Sequence, residues 1–155
     1  MHYKSLDTKA PNGRDIGKPS EYAEDKKILL VDDEICILKT LSFFFENAGF
    51  KTTIASNGFD ALNKFLRKPF DIVITDLNMK GMDGFSLIKK IKDRSPDTPA
   101  ILITGENPNS VKKKEKNSKV DFILYKPFKV DAIEKLISNI LEKDQKRSNL
   151  DIIYQ

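Results

Sequence analysis

The sequence predicts an open α/β domain, a doubly wound five-stranded parallel sheet with helices on both faces. Short unbroken apolar runs lead there first: Ile28-Leu29-Leu30-Val31, Ile72-Val73-Ile74 and Ala100-Ile101-Leu102-Ile103. Runs of this kind belong to strands buried on both faces. Apolar stripes at helical spacing alternate with them. Parallel strands then need right-handed crossovers, which cover both faces of the sheet with helices.

Residues 1–25 hold Pro11-Asn12-Gly13, Gly17 and Pro19 among mixed charges, without periodicity. They are expected to form a flexible N-terminal tail. His2, alone within it, has no partner that would make it a ligand. The first strand begins at Lys27. A helix over about 35–48 turns Ile37, Leu38, Leu41, Phe44, Phe45 and Ala48 inward, and Gly49 stops it. The strand Lys51–Ala55 follows. The next helix turns Ala61, Leu62, Phe65 and Leu66 inward and ends before Pro69. After the strand ending at Asp76, a loop over 78–82 leads to Asp83, the expected N-cap of a helix marked by Phe85, Ile88 and Ile91. The strand Ala100–Thr104 comes next.

Between Asn109 and Lys119 only Val111 offers an apolar anchor, so a fourth helix is expected to be short and marginal. The fifth strand, Phe122–Tyr125, precedes a final helix striped by Val130, Ile133, Leu136, Ile137, Ile140 and Leu141. The domain is expected over 26–143. A polar C-terminal tail over 144–155 would fray despite its Ile152-Ile153-Tyr154.

The 155 residues, 39% hydrophobic and 32% charged, suit one globular domain with loose ends. No run is long enough to span a bilayer and no signal-peptide pattern opens the chain, so no membrane partner is expected. The single cysteine, Cys36, excludes an internal disulfide and points to a cytoplasmic setting. On the first helix it is expected to be a small buried residue rather than a redox switch. The net charge of +4 gathers in Lys112, Lys113, Lys114, Lys116 and Lys119. No aromatic residue interleaves them and no arginine fork accompanies them, so direct nucleic-acid binding is not expected.

Ligands of a parallel sheet bind outside the carboxyl ends of its strands. Asp32 and Asp33 follow the first strand, Asp76 ends the third, Thr104 the fourth, and Lys126 follows the fifth. Three carboxylates, a hydroxyl and an ammonium are thus expected in one crevice. Two carboxylates about 4 Å apart repel by roughly 4 kcal/mol at an effective dielectric near 20. Three of them need a cation or must bind protons. With oxygen donors and no histidine or cysteine among them, Mg2+ is the natural choice. Such a site has the parts for phosphoryl transfer, the metal and lysine neutralising phosphoryl oxygens while a carboxylate accepts the group.

Val31-Asp32-Asp33, Asp76, Met82-Asp83-Gly84, Thr104-Gly105 and Lys126-Pro127-Phe128, in this order and spacing, resemble the receiver domain of two-component response regulators. The resemblance spans about 26–143 and implies a flavodoxin-like fold. It implies that Asp76 is the phosphoacceptor, supplied by a sensor histidine kinase or a histidine phosphotransfer protein. Asp33 and Asp76 would ligate Mg2+ with the backbone carbonyl of Asn78, and Asp32 would bind it through water. Thr104 would hydrogen-bond a phosphoryl oxygen, Lys126 would pair with the group, and the bond to Pro127 would be cis. Asn78 and Glu106 occupy positions that tune self-dephosphorylation in the family, which implies a short-lived phosphorylated form. Signalling to a downstream protein target would follow a shift at Thr104. Ile123 stands where the family usually has an aromatic switch residue, and Lys80 where it commonly has proline.

Other functions compete. A dedicated Mg2+-dependent phosphatase with an aspartyl nucleophile is an alternative; related chemistry in the haloacid-dehalogenase-like family uses Asp-x-Asp, and Asp76-Leu77-Asn78 lacks the second acid. A flavodoxin-like nucleotide binder needs a phosphate loop after its first strand, where Asp32-Asp33-Glu34 would repel phosphate. The chain is expected either to act as a stand-alone bacterial receiver or to be one cut from a larger regulator or hybrid histidine kinase.

Overall fold

Five strands and five helices alternate along residues 22–153, the part of the chain that the structure, a computed structural model, describes; side chains are described as far as residue 144. The strands are β1 (Lys27–Val31), β2 (Lys51–Ala55), β3 (Ile72–Asp76), β4 (Ala100–Thr104) and β5 (Phe122–Tyr125). The helices are α1 (Ile35–Asn47), α2 (Gly58–Arg67), α3 (Gly84–Arg94), α4 (Pro108–Glu115) and α5 (Val130–Ile153). All neighbouring strands run parallel, in the order β2-β1-β3-β4-β5. The doubly wound five-stranded fold read from the sequence is the fold observed.

Alternation within each apolar run divides the core. Ile28, Leu30, Ile72, Ile74, Ile101 and Ile103 face one way, against Leu38, Leu41 and Phe45 of α1 and Ile133, Ile137 and Ile140 of α5. Leu29, Val31 and Val73 face the other way, towards Ala61 of α2 and Leu87 and Ile91 of α3. Ala100 and Leu102 share that second face with Leu77, Phe85, Ile88 and Val111. Each fully buried aliphatic side chain contributes about 1.5–3 kcal/mol, so the strand runs and helix stripes hold the sheet together. Local signals fix the helix ends. Asp83 accepts the Ser86 amide at 2.8 Å, Asn57 caps α2 through the Asp60 amide at 2.8 Å, and Gly49 takes φ 97° just past α1.

Four expectations are corrected. The tail is attached by its last residues: Tyr22 packs on the core, Ala23 is fully buried within it, and Asp25 pairs with Lys51. The remainder of that tail, with His2, lies outside the described residues, as does Tyr154. The last helix does not end near 143 but continues to Ile153, where no glycine or proline interrupts it and Gln145, Lys146, Arg147 and Leu150 favour helix. Leu66 is exposed, since Ala61, Leu62 and Phe65 already fill the space beneath α2. Cys36 is also exposed, lying across α1 from the buried Leu38, Leu41 and Phe45. As expected, α4 is short and has Val111 as its one buried residue. Among the described residues no helix is long and apolar enough to cross a membrane.

Candidate functional site

The sheet register builds the site. Val31 pairs with Thr75, so the next residue along each strand sets Asp32 level with Asp76. Asp76 pairs with Ile103, and Thr104 pairs with Tyr125, which brings Lys126 to the same edge. Backbone bonds carry the sheet pattern past the strand ends: Leu77 N–H donates to Ile103 at 2.9 Å and Lys126 N–H to Thr104 at 2.7 Å. The Lys126–Pro127 peptide is cis, as the resemblance implies.

Asp76 is 8% exposed and accepts two hydrogen bonds. Lys126 Nζ donates to Oδ1 at 2.9 Å, and the Asn78 amide donates to Oδ2 at 2.9 Å. Asp32, 5% exposed, accepts the Glu34 amide at 2.8 Å. Burial raises the pKa of Asp32, and the negative charge of Asp76 adds to the rise; the Glu34 amide and Lys126 work against it. Burial also penalises the Lys126 ammonium, but its hydrogen bond to Asp76 and the charges of Asp76 and Asp32 together hold its pKa above the ordinary value. Thr104 is buried, and its Oγ1 accepts the Glu106 amide at 3.0 Å, which leaves the hydroxyl hydrogen free to donate.

Of the three carboxylates at the strand ends, Asp32 and Asp76 are buried and Asp33 is exposed. Among the described residues no group of three His, Cys, Asp or Glu side chains is placed to hold a metal. Asp32 lies close enough to Asp76 to feel its charge, Lys126 bonds to Asp76, and Asp33 is exposed in the loop to α1. Repulsion is relieved by one ammonium and by leaving the third carboxylate in water. The donor set nevertheless suits Mg2+: two buried carboxylates against one lysine leave a net negative charge of hard oxygens. Mg2+ is commonly held by one or two carboxylates, its remaining positions going to water and phosphate.

The sequence reading missed two supporting features. An added Cβ on Gly84 would lie 2.4 Å from the Asp76 carbonyl oxygen, so the start of α3 presses directly on the acceptor strand. Glu106 is held by α4, accepting from Lys114 Nζ at 2.8 and 2.9 Å and from Ser110 Oγ at 3.0 Å. The Lys114 bond foremost, then those of Ser110 and Asn78, lowers the pKa of Glu106. Ser110 four residues after Glu106 was the one legible hint. Ile123 is half-buried and shares its face with Tyr125, both packing on the cluster that holds Val111. Phe122 packs on the opposite face, so Tyr125 is the aromatic of β5 that lies on the α4 side.

In sequence and fold the chain is similar to known proteins. Residues 28–138 match the response regulator receiver domain. The chain is 31% identical over 119 residues to the transcriptional regulatory protein ZraR of Klebsiella oxytoca, covering 76% of this chain and 27% of that protein. It is 30% identical over 129 residues to the sensor histidine kinase RcsC of Salmonella typhi, covering 83% of this chain and 14% of that protein. The chain thus spans about a quarter or less of these curated relatives. Among solved structures, the chemotaxis protein CheY4 of Vibrio cholerae superposes with a TM-score of 0.70 at 31% identity, covering 75% of this chain and 98% of that one. A CheY-like receiver domain protein from Methanospirillum hungatei superposes at 0.75 with 25% identity, covering 80% and 99%. Fold, strand-end residues and matches converge, and the chain belongs to the response regulator receiver domain family.

Proposed function

We propose that Asp76 accepts a phosphoryl group from the phosphohistidine of a sensor histidine kinase or histidine phosphotransfer protein. The observation that carries this reading is the Asp76 carboxylate itself, held at the end of β3 by Lys126 and the Asn78 amide with the Thr104 hydroxyl on the neighbouring strand. An Asp76 oxygen forms the new O–P bond as the N–P bond breaks and its electron pair returns to the imidazole.

Lys126 already sits on the acceptor and balances charge on the arriving phosphoryl oxygens. Thr104 donates its free hydroxyl hydrogen to one of them. Mg2+, held by Asp76, Asp33 and the Asn78 carbonyl, with Asp32 reached through water, would neutralise phosphoryl oxygens and help hydrolysis. Asn78 and Glu106, whose side chains lie near each other, would tune that later hydrolysis and favour a short-lived phosphorylated form.

Phosphorylation takes one negative charge to roughly two, which draws Thr104 inward and shifts the β4–α4 region towards a signalling conformation for a downstream protein. Ile123 and Tyr125, packed beside α4, would move with it. The working unit is the receiver domain over about 26–143 together with the attached turn at residues 22–25 and the continuation of α5 to Ile153, either alone or within a longer regulator. A free, exposed Cys36 fits a reducing cytoplasm.

The test is incubation with Mg2+ and a small acyl phosphate, followed by intact mass. Gain of one phosphoryl group by the wild type, absent in Asp76→Asn, is the expected result. No gain, or a gain that persists in Asp76→Asn, overturns the assignment.

A further inference from the structure

A chain of contacts runs from the acceptor to α4. The Asn78 backbone amide donates to Asp76 at 2.9 Å, and the Asn78 side chain meets the Glu106 carboxylate. That carboxylate accepts from Lys114 Nζ through both oxygens, at 2.8 and 2.9 Å, and from Ser110 at 3.0 Å. Ser110 and Lys114 lie one turn apart on the same face of α4. The Glu106 amide, for its part, donates to Thr104 Oγ1 at 3.0 Å. Lys114 therefore fixes a side chain that is otherwise held by Ser110 of the same helix and by Asn78 from the loop after β3.

Without Lys114 the Glu106 carboxylate would carry an uncompensated charge facing a phosphoryl dianion, and it would turn towards water. Alongside Asn78 it instead offers an acceptor to a water entering opposite the Asp76 O–P bond.

We propose that Lys114 is a positioning residue for hydrolysis of the Asp76 phosphoryl group, holding Glu106 against Asn78 so that the two side chains orient the attacking water. The proposal rests on the reading of Asp76 as acceptor. The water oxygen bonds to phosphorus, the P–O bond to Asp76 breaks, and the electron pair returns to the Asp76 carboxylate. Both hydrogens of the water leave on dihydrogen phosphate. Because Lys114 belongs to α4, the placement of that helix sets the lifetime of the phosphorylated form.

The experiment follows decay of the phosphoryl mass after the acyl phosphate donor is removed, with Mg2+ kept constant. Lys114→Gln is expected to slow decay about fivefold, the effect of losing one net hydrogen bond. Lys114→Arg, which can grip the same carboxylate, keeps the wild-type rate. In a Glu106→Gln background, Lys114→Gln adds nothing, because its target is already gone. Thermal melting of each variant shows whether the fold is retained, and the arginine variant separates charge and reach from general damage. An unchanged rate in Lys114→Gln overturns the proposal, as does a slowing of equal size in the Glu106→Gln background. Failure of the wild type to gain phosphoryl mass is a different result: it removes Asp76 as acceptor and this role of Lys114 with it.

Discussion

Lys126 Nζ donates to Asp76 Oδ1 at 2.9 Å, joining two side chains 50 positions apart. The pair is only partly open to solvent, the lysine side chain being 31% exposed and the aspartate 9%. Water screens it weakly, and the ammonium is already aimed where phosphoryl charge would arrive. Lys126→Met keeps the aliphatic stem and removes the charge. Phosphorylation of Asp76 by a small acyl phosphate is expected to slow by about a hundredfold, as when a preorganised donor is removed elsewhere. The rate of phosphoryl mass gain measures this, and a wild-type rate would take Lys126 out of the mechanism.

Gly84 begins α3 where that helix meets β3 and β4. A Cβ there would lie 2.4 Å from the Asp76 carbonyl oxygen and 2.6 Å from Leu102 Cδ1. Backbone on one side and a fully buried leucine on the other leave little room to yield. Gly84→Ala is expected to destabilise the fold by about 1–3 kcal/mol, the range for overpacking a tight core. A denaturant midpoint equal to wild type would show that the strand can shift freely.

How far the sequence could be read depended on the range of the interaction. Buried on both faces, the strands write themselves as continuous apolar runs, so Ile28 to Val31 or Ala100 to Ile103 could be placed without knowing their neighbours. Asp83 and Gly49 act within one turn of helix and were equally legible. Asp32, Asp76, Thr104 and Lys126 followed because a parallel sheet delivers its strand ends to one edge.

Contacts decided by rotation or by distant partners were not legible. Leu66 and Cys36 look like core residues by type, yet the helix faces that carry them point outward. Ala23 is buried by elements far along the chain. Lys114 reads as one of five lysines on a solvated helix until the structure sets it on Glu106.

Asp32 is held at a cost to the fold. Burial raises its pKa above that of an ordinary carboxyl, with the Asp76 charge adding to the rise. A carboxyl with a raised folded pKa contributes stability that is full below the unfolded value and lost as pH rises through the folded one. At neutral pH the ionised Asp32 therefore opposes folding when no divalent cation is present. Asp32→Asn removes the charge and keeps an oxygen for the Glu34 amide. With a chelator present, its melting temperature is expected to exceed wild type at neutral pH, and the gap to narrow in acid near the ordinary carboxylate range. A variant no more stable than wild type at neutral pH would mean that the buried charge is fully compensated.

Val111 is the single buried side chain of α4, a helix of 8 residues. A helix that short is marginal on its own, even with the Asn107 side chain capping the Asn109 amide at 2.8 Å and lysines near its C-terminus. Packing of Val111 against Leu77, Phe85, Ile88 and Leu102 is what docks it. Val111→Ala removes two methylene equivalents and leaves a small void, a loss of about 1.5–3 kcal/mol. Because α4 has no second apolar anchor, that loss should appear first as local opening rather than as unfolding of the sheet. Hydrogen exchange of the α4 amides is expected to accelerate in Val111→Ala while α3 and β4 exchange as in wild type. The same variant loosens the Lys114 grip on Glu106, so decay of the Asp76 phosphoryl group should slow alongside. Equal acceleration in α3 and β4 would show that α4 opens only with the whole domain, and its weak anchoring would then set stability rather than switching.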